Sequence, residues 1–328
     1  MKLSIIIPIY NSFKFLDECI NSIKICDSID YELICIDDGS TDKSLELLKS
    51  FESNIDNFTI ITQSNKGQSN ARNNALKMAR GEYIFFLDSD DSLIYKSLEF
   101  VITKIIDEDI ICFNAISCDS DMYFNLYYKE LQFYNNIIYD GLSVLELSAS
   151  NIPLVPWCYV FKRDFLIKND LFFKEGFFHE DALFVLQTFF YAKKISFIPY
   201  FPVVKYRIHN NSTTNNRKFK TIYDLIIINR EIFNFFINMN FLKDEIKKVV
   251  WNLYMYSIRK SITQNYQKEF DNIITTEDFD IMNLCKPTDY PKALLLSLKK
   301  SIFKYQQKDK RLNRASMIKN LIKQYLIK

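Results

Sequence analysis

The sequence predicts an α/β domain with a mostly parallel central sheet, followed by an all-helical C-terminal region. In the first part, short apolar runs alternate with segments of helical spacing, as in βαβ units with right-handed connections. Polar clusters follow the first, second and fourth of these runs. From Lys218 onward the apolar spacing is wholly helical, and an Asn-, Ser- and Thr-rich segment, 210–217, precedes it. We therefore predict two domains, 1–215 and 216–328.

Residues 1–115 form the more regular half of the first domain. The predicted strands, each a short run rich in β-branched or aromatic residues, are 3–9, 31–36, 58–62, 83–87 and 110–116. The predicted helices are 13–25, a segment that follows Ser40 or Thr41 and ends near 51, 70–79 and 94–106. We expect Gly81 to close the third helix, because glycine readily adopts the left-handed conformation found just after helices.

The second half of this domain, 116–215, has a weaker pattern. Residues 118–152 show no clear periodicity. The predicted strands are 153–161, 195–199 and 203–208, and the predicted helices are 162–169 and a segment that runs from the cluster His179-Glu180-Asp181 to Tyr191.

The composition is that of an ordinary globular protein, with 48% hydrophobic and 25% charged residues among 328. Seven cysteines without a CxxC pair indicate free thiols in a reducing compartment. The N-terminal apolar run is short and interrupted by Pro8, unlike a signal peptide. No uncharged apolar run reaches the roughly 18 residues that span a bilayer. We therefore expect a cytoplasmic protein whose membrane contact, if it has any, is peripheral.

Positive charge is concentrated in the tail 292–328, which has eleven Lys and Arg residues and one acid, Asp309. Its apolar residues recur at helical spacing, which predicts one or two basic amphipathic helices. Such a face suits an anionic membrane surface, at the inner face of the cytoplasmic membrane. Packing on the preceding domain is an equal alternative. No nucleic-acid-binding motif accompanies the charge, so we predict no nucleic-acid partner.

The stretch Tyr83–Asp91 joins a predicted buried strand to a group of carboxylates, namely Asp88, Asp90 and Asp91. In open α/β sheets the carboxyl ends of the strands are where ligands bind. Carboxylates this close repel one another unless a cation lies among them, and oxygen ligands favour Mg²⁺ or Mn²⁺. The alternative is a solvated acidic turn.

Five motifs in order resemble those of the family 2 glycosyltransferases, which have the Rossmann-like GT-A fold. The motifs are Ser4–Asn11 (SIIIPIYN), Asp37–Asp42 (DDGSTD), Asn65–Asn73 (NKGQSNARN), Asp88–Asp91 (DSDD) and Glu180–Asp181. They cover about residues 1–210, and no motif covers the helical tail. The resemblance is to small bacterial members that build surface polysaccharide or lipooligosaccharide. It implies inverting transfer of a sugar from a UDP-sugar to a glycan or lipid-linked glycan, with residues 1–115 binding the nucleotide and 116–215 the acceptor.

The resemblance also implies which residues bind the UDP-sugar. They are Pro8, Tyr10, Asn11, Asp38, Arg72, Asp88 and Ser89. Tyr10 would stack on uracil, although a Tyr buried at a strand end is an alternative. Asp38 would accept the uracil N3–H, while Asp37 would brace its loop. For Arg72, contact with the pyrophosphate and an ion pair with the acidic cluster both remain open.

The implied metal ligand is Asp90, and His209 is a candidate for completing the Mn²⁺ or Mg²⁺ site. Asp91 would support it or cap a helix that starts near Leu93. Inversion requires a general base, and the family pattern selects Asp181, with Glu180 as second choice and otherwise on the acceptor side. Acids that complement a helix dipole are the alternative for both.

Trp157 resembles an aromatic residue that lines the acceptor side, although a buried core Trp is the default. Arg207 is a candidate for the diphosphate. Two other functions compete with catalysis of sugar transfer. One is a non-catalytic nucleotide-sugar-binding or scaffold subunit of a glycan assembly complex, which the complete acid set argues against. The other is nucleotidyl transfer, which would require a Gly-rich basic loop that Pro8–Lys14 does not provide.

Overall fold

A computed structural model describes most of the chain. The described residues are 1–23, 30–118, 124–126, 137–209, 219–263 and 273–285. The chain divides into two compact units, Met1–Asn216 and Arg217–Lys328. The predicted tail 292–328 and the predicted boundary segment 210–217 lie outside the described residues. Each helix in the described part of the chain is too short or too polar to span a bilayer.

Strands of the first unit form one sheet. In the described residues they are β1 Leu3–Ile9, β2 Tyr31–Asp37, β3 Phe58–Thr62, β4 Tyr83–Phe86, β5 Ser92–Leu93, β6 Ile110–Cys118, β7 Phe124–Leu126, β8 Tyr159–Lys162 and β9 Ile195–Arg207. The spatial order is β3-β2-β1-β4-β8-β6-β9-β5, with β7 paired to β6. Parallel ladders link β3, β2, β1 and β4 and also join β6 to β9, whereas β8 runs antiparallel to both of its neighbours. Most paired positions are therefore parallel, as predicted.

Helices cover this sheet. They are α1 Phe13–Ile23, α2 Ser44–Ser50, α3 Gln68–Met78, α4 Ser97–Lys104, α5 Gly141–Ser148, α6 Arg163–Lys168 and α7 Glu180–Tyr191, with 3-10 turns at Glu52–Asn54, Ala149–Asn151 and Pro156–Cys158. Strand β1 is buried along its whole length, because helices cover both faces of a parallel sheet and a continuous apolar run fits there. Each Ile side chain buried in β1 contributes about 1.5–3 kcal/mol.

Gly81 does not close α3, contrary to the prediction. The helix ends at Met78, and Gly81 is not among the glycines with positive φ. A Cβ at Gly81 would lie 2.4 Å from the backbone nitrogen of Ser4 in β1. Glycine is therefore required here by the close approach of two backbones.

Two strand predictions in the second half were wrong in extent. The run 153–161 is strand only from Tyr159, because Pro156–Cys158 forms a 3-10 turn with proline at its start. The two strands predicted at 195–199 and 203–208 are one strand, β9. Its register with β6 shifts around Asn114, which is paired with Pro202, and this irregularity accommodates a residue that has no N–H to donate.

The segment after the acidic cluster also differs from the prediction. Ser92–Leu93 forms β5, which pairs with β9, and α4 begins only at Ser97. Asp91 therefore does not cap a helix at Leu93. Similarly, α2 begins at Ser44, so neither Ser40 nor Thr41 is its N-cap.

The second unit is helical in its described residues, as predicted, with α8 Phe219–Asn238, α9 Asp244–Thr263 and α10 Thr276–Cys285. A buried ionic network joins these three helices. The guanidinium of Arg230 donates from Nε and Nη2 to the two oxygens of Asp278, at 2.6 and 2.5 Å. The hydroxyl of Tyr254 donates to Asp278 Oδ1 at 2.7 Å. Burial alone would raise the pKa of Asp278, but these hydrogen bonds lower it below its ordinary value.

Replacing Asp278 with Ala is expected to destabilise the second unit by about 3 kcal/mol, because it removes the only carboxylate bonded to Arg230 among the described contacts. The contribution of the ionised carboxylate is present above its unfolded-state pKa of about 4 and is lost as the pH falls below it. Urea unfolding of the full chain measures the change. The control is Asp280→Ala, since Asp280 is an exposed acid of the same helix. Equal midpoints for the two variants would contradict the role of the network.

Candidate active site

The polar clusters after β1, β2 and β4 lie at one edge of the sheet, because these strands are adjacent and parallel. Ser12, after β1, shares a 2.6 Å hydrogen bond between hydroxyl oxygens with Ser89, after β4. Asn11 has a positive φ of 51°. Its Oδ1 accepts from the backbone N–H of Thr41 at 2.8 Å. Asn11 and Ser89, both predicted to bind the donor, therefore also hold these loops together.

The remaining predicted contacts to the nucleotide base differ in exposure. Tyr10 is 50% exposed, so its ring is available for stacking. Pro8 is buried within β1. The carboxylate of Asp38 accepts from Gln63 Nε2 and from the backbone N–H groups of Lys66 and Gly67, at 2.7–2.8 Å. A carboxylate has about four acceptor positions, so one is not used by these three donors, although only 3% of Asp38 is exposed.

The acids after β4 form a cluster suited to a divalent cation. One oxygen each from Asp88, Asp90 and Asp91 can be chosen so that all three lie within 4.8 Å of one another. Asp91 accepts from the backbone N–H of Arg207 at 2.8 Å through Oδ1, whereas its Oδ2 is buried without a hydrogen-bond partner. Burial and the neighbouring acids raise the pKa of Asp91 well above its ordinary value. An unpaired buried oxygen within a carboxylate cluster fits a hard cation.

His209, a candidate metal ligand from the sequence, lies next to Asp90 of this cluster. Its Nε2 is 2.8 Å from Asp90 Oδ2, and its ring lies 4.6 Å from that of Phe15 in α1. The guanidinium of Arg207 also contacts Phe15, with its Cζ 4.9 Å from the ring centroid. Its Nη2 donates to Glu18 at 2.5 Å. Phe15 and Glu18 were not predicted as site residues, because the sequence pattern indicates only that they belong to a helix.

Arg72 makes the second of its two predicted contacts, the ion pair with the acids. Its side chain is 0% exposed. Nη2 donates to Asp88 Oδ1 at 2.6 Å, and Nη1 donates to Asp181 Oδ1 at 2.9 Å and to Glu180 Oε1 at 3.4 Å. The Phe173 ring lies 5.1 Å from its Cζ.

Glu180 and Asp181 occupy the first turn of α7, where the helix dipole favours acids. Glu180 is fully buried, but Asp181 keeps 20% of its side chain exposed. Burial raises the pKa of Asp181 well above its ordinary value, although Arg72 acts in the opposite direction. Of the two acids, Asp181 is therefore the one that a ligand can reach.

The loop before α7 is held by α3. Asn73 donates through Nδ2 to the carbonyl of Phe173 at 2.8 Å, and accepts from the N–H of the same residue at 2.9 Å. Asn70 and Asn73 both donate to Glu175, at 2.7 and 3.0 Å. These contacts join residues about 100 positions apart, and no local pattern indicates them.

Trp157 is a buried core residue, which was the alternative to a role on the acceptor side. It is 3% exposed and stacks on Tyr206 with ring centroids 5.4 Å apart. Its predicted acceptor role has no support from this position, because a ring with so little accessible surface offers a sugar almost no face.

The first half of the chain matches a known protein family. The family model described as "Glycosyl transferase family 2" matches residues 4–169, about half of the chain. The chain belongs to glycosyl transferase family 2. The match contains four of the five motifs and ends before Glu180 and Asp181.

Among curated relatives of this family, "Uncharacterized glycosyltransferase YibD" of Escherichia coli is 29% identical over 224 residues, 65% of this chain and 63% of YibD. TarS of Staphylococcus aureus, a "Poly(ribitol-phosphate) beta-N-acetylglucosaminyltransferase", is 28% identical over 203 residues, 60% of this chain and 34% of TarS. The chain thus spans less than two thirds of YibD and about a third of TarS.

Solved structures of glycosyltransferases share the fold. TarS residues 1–349, solved with UDP-GlcNAc, superpose with a TM-score of 0.60 and 21% identity over 87% of this chain and 79% of that one. The mannosyltransferase PcManGT of Pyrobaculum calidifontis, solved with GDP-Man and Mn²⁺, gives a TM-score of 0.56 and 14% identity over 81% of this chain and 73% of that one. The predicted GT-A fold is therefore confirmed.

Proposed function

We propose that the chain is an inverting glycosyltransferase that moves a sugar from a UDP-sugar to a hydroxyl of a glycan or lipid-linked glycan. One observation carries the proposal. At the carboxyl edge of the sheet, a partly exposed carboxylate, Asp181, is linked through Arg72 to Asp88 of the acid cluster after β4. Inversion needs a base on one side of the sugar and leaving-group stabilisation on the other.

The donor lies on the side of β1, β2 and β4. Tyr10 stacks on the base, and Asp38 accepts a base N–H with its remaining acceptor position. Asp88 faces the ribose and Ser89 lies beside it, with Asn11 and Pro8 shaping the wall. The complex of TarS with UDP-GlcNAc supports a uridine nucleotide, whereas PcManGT was solved with GDP-Man.

A divalent cation, Mn²⁺ or Mg²⁺, would be held by Asp90, with Asp91 Oδ2 and His209 as further candidate ligands. When bound, it neutralises the charge of the leaving diphosphate. The unpaired buried oxygen of Asp91 and the Mn²⁺ in the PcManGT structure support this assignment.

Asp181 acts as the general base. It accepts the proton of the acceptor hydroxyl while the hydroxyl oxygen bonds to the anomeric carbon, and the bond from that carbon to the diphosphate oxygen breaks. The elevated pKa of Asp181 matches this use, because a stronger base accepts a proton more readily near neutral pH. Glu180, fully buried, supports the site from within.

The proposal is tested by a thermal-shift screen of UDP-, GDP- and dTDP-sugars with Mn²⁺ or Mg²⁺, followed by assays of UDP release. We expect a UDP-sugar with a cation to raise Tm more than either component alone. A matching shift with GDP-Man and none with UDP-sugars would overturn the donor assignment. A nucleotide-dependent shift without turnover on any glycan acceptor would favour a binding subunit.

A further inference from the structure

Arg72 connects the two sides of the site. Asp88 follows β4 on the donor side, whereas Asp181 begins α7 on the side of the proposed base. They lie 16 and 109 positions from Arg72 in the sequence, yet each accepts a hydrogen bond below 3 Å from its guanidinium. A single planar cation therefore sets the positions of both carboxylates.

The surroundings of Arg72 leave it no surface for a ligand. The side chain is 0% exposed, both terminal nitrogens donate to carboxylates, and the Phe173 ring lies against it. A diphosphate would have to enter a buried position that is already lined by Asp88, Glu180 and Asp181. Such an approach brings like charges together in a poorly solvated place, which is unfavourable.

We propose that Arg72 is a positioning residue, which is anchored by Asp88 and orients Asp181 toward the acceptor hydroxyl, and that it does not bind the diphosphate. This inference rests on the function proposed above. It replaces the pyrophosphate contact that remained open from the sequence. The fork of a guanidinium is required, because a lysine ammonium is a point charge that cannot hold two separate carboxylates in fixed geometry.

The test uses Arg72→Lys, which retains the charge and removes the fork. We expect kcat to fall about 100-fold, since small displacements of reacting groups have effects of this size. The Kd for UDP and the Kd for UMP, measured by calorimetry with Mn²⁺, should each stay within about threefold of the wild type. A Kd for UDP that weakens about tenfold or more while that for UMP is unchanged would show that Arg72 binds the diphosphate, and would overturn the proposal.

A double-mutant cycle tests whether Arg72 acts through Asp181. In an Asp181→Asn background, Arg72→Lys should lower the residual kcat by less than about threefold, because the group that it positions is already lost. Independent, multiplicative effects would contradict the proposal. If Arg72→Lys does not fold, Arg72→Gln combined with Glu180→Gln removes the fork with less excess negative charge. The same kcat and Kd values are expected of it, and a selective loss of UDP binding would again overturn the proposal.

Arg80→Lys is the matched control. Arg80 is 65% exposed and pairs with Glu32, away from the acids of the site. Its kcat and Kd for UDP should equal those of the wild type. Failure of the proposed function is recognised separately, as absence of sugar transfer by the wild type itself, and the UDP and UMP affinities still decide whether Arg72 contacts the diphosphate.

Discussion

Replacing Asp181 with Asn is expected to lower kcat by about 10²- to 10⁴-fold, the range that a general base contributes. The amide has nearly the same shape, and its oxygen still accepts from Arg72 Nη1, which lies 2.9 Å from Asp181 Oδ1. What it loses is the capacity to take a proton from the acceptor hydroxyl. The Kd for UDP should remain within about threefold of the wild type, because the proposed role of Asp181 is toward the acceptor hydroxyl and not toward the nucleotide. Steady-state UDP release and calorimetry measure the two quantities.

Glu180→Gln provides the comparison for Asp181→Asn. Glu180 is fully buried, so its effect should come from site geometry and be smaller than that of Asp181. The pH profile gives a second measurement. Because burial raises the pKa of Asp181, kcat of the wild type should fall with decreasing pH at a value above the ordinary range of Asp. Full turnover by Asp181→Asn would show that another residue is the base.

Replacing Asp90 with Asn is expected to weaken Mn²⁺ binding by at least about tenfold and to lower kcat by about 100-fold or more. A neutral amide oxygen is a poorer ligand than a carboxylate for a hard cation, and leaving-group stabilisation by a metal is worth several kcal/mol. The His209 ring, 2.8 Å from Asp90, would also lose its charged partner. Titration of the protein–UDP complex with Mn²⁺ measures the affinity without reference to turnover.

Asp17→Asn serves as the control for Asp90→Asn, since Asp17 is an exposed acid of α1 with no contact to the cluster. Its Mn²⁺ affinity and kcat should be those of the wild type. Unchanged Mn²⁺ affinity in Asp90→Asn would show that residues other than Asp90 bind the cation. A loss of kcat with full Mn²⁺ affinity would assign Asp90 a role in orienting the donor.

The strands and the position of the site were predictable because both depend on local pattern and on topology. The apolar runs that became β1, β2 and β4 are continuous, and parallel adjacency then places the residues after them at one edge. For Arg72, the sequence predicted acidic groups as possible partners but not which residues supply them. Its contacts with Asp88 and Asp181 depend on how α3 and α7 pack, and sequence spacing carries no information on that.

Errors of prediction have similar causes. Asp91 precedes a two-residue strand rather than a helix, because pairing with β9 outweighs the local helical pattern of residues 94–106. Gly81 is required by the proximity of Ser4, which is distant in sequence. Phe15 and Glu18 of α1 reach His209 and Arg207 through tertiary packing alone.

The contacts of α3 with the segment before and within α7 have a consequence for local stability. Asn70, Arg72 and Asn73 all belong to α3, and between them they bond to Phe173, Glu175, Glu180 and Asp181. Opening the chain from 173 to 181 would break all of these bonds together. We therefore expect the segment 173–181, which includes the proposed base, to open as one cooperative unit rather than to fray residue by residue. A substitution on the far side of α3 would then alter catalysis by shifting the population of the open form, although it touches no substrate.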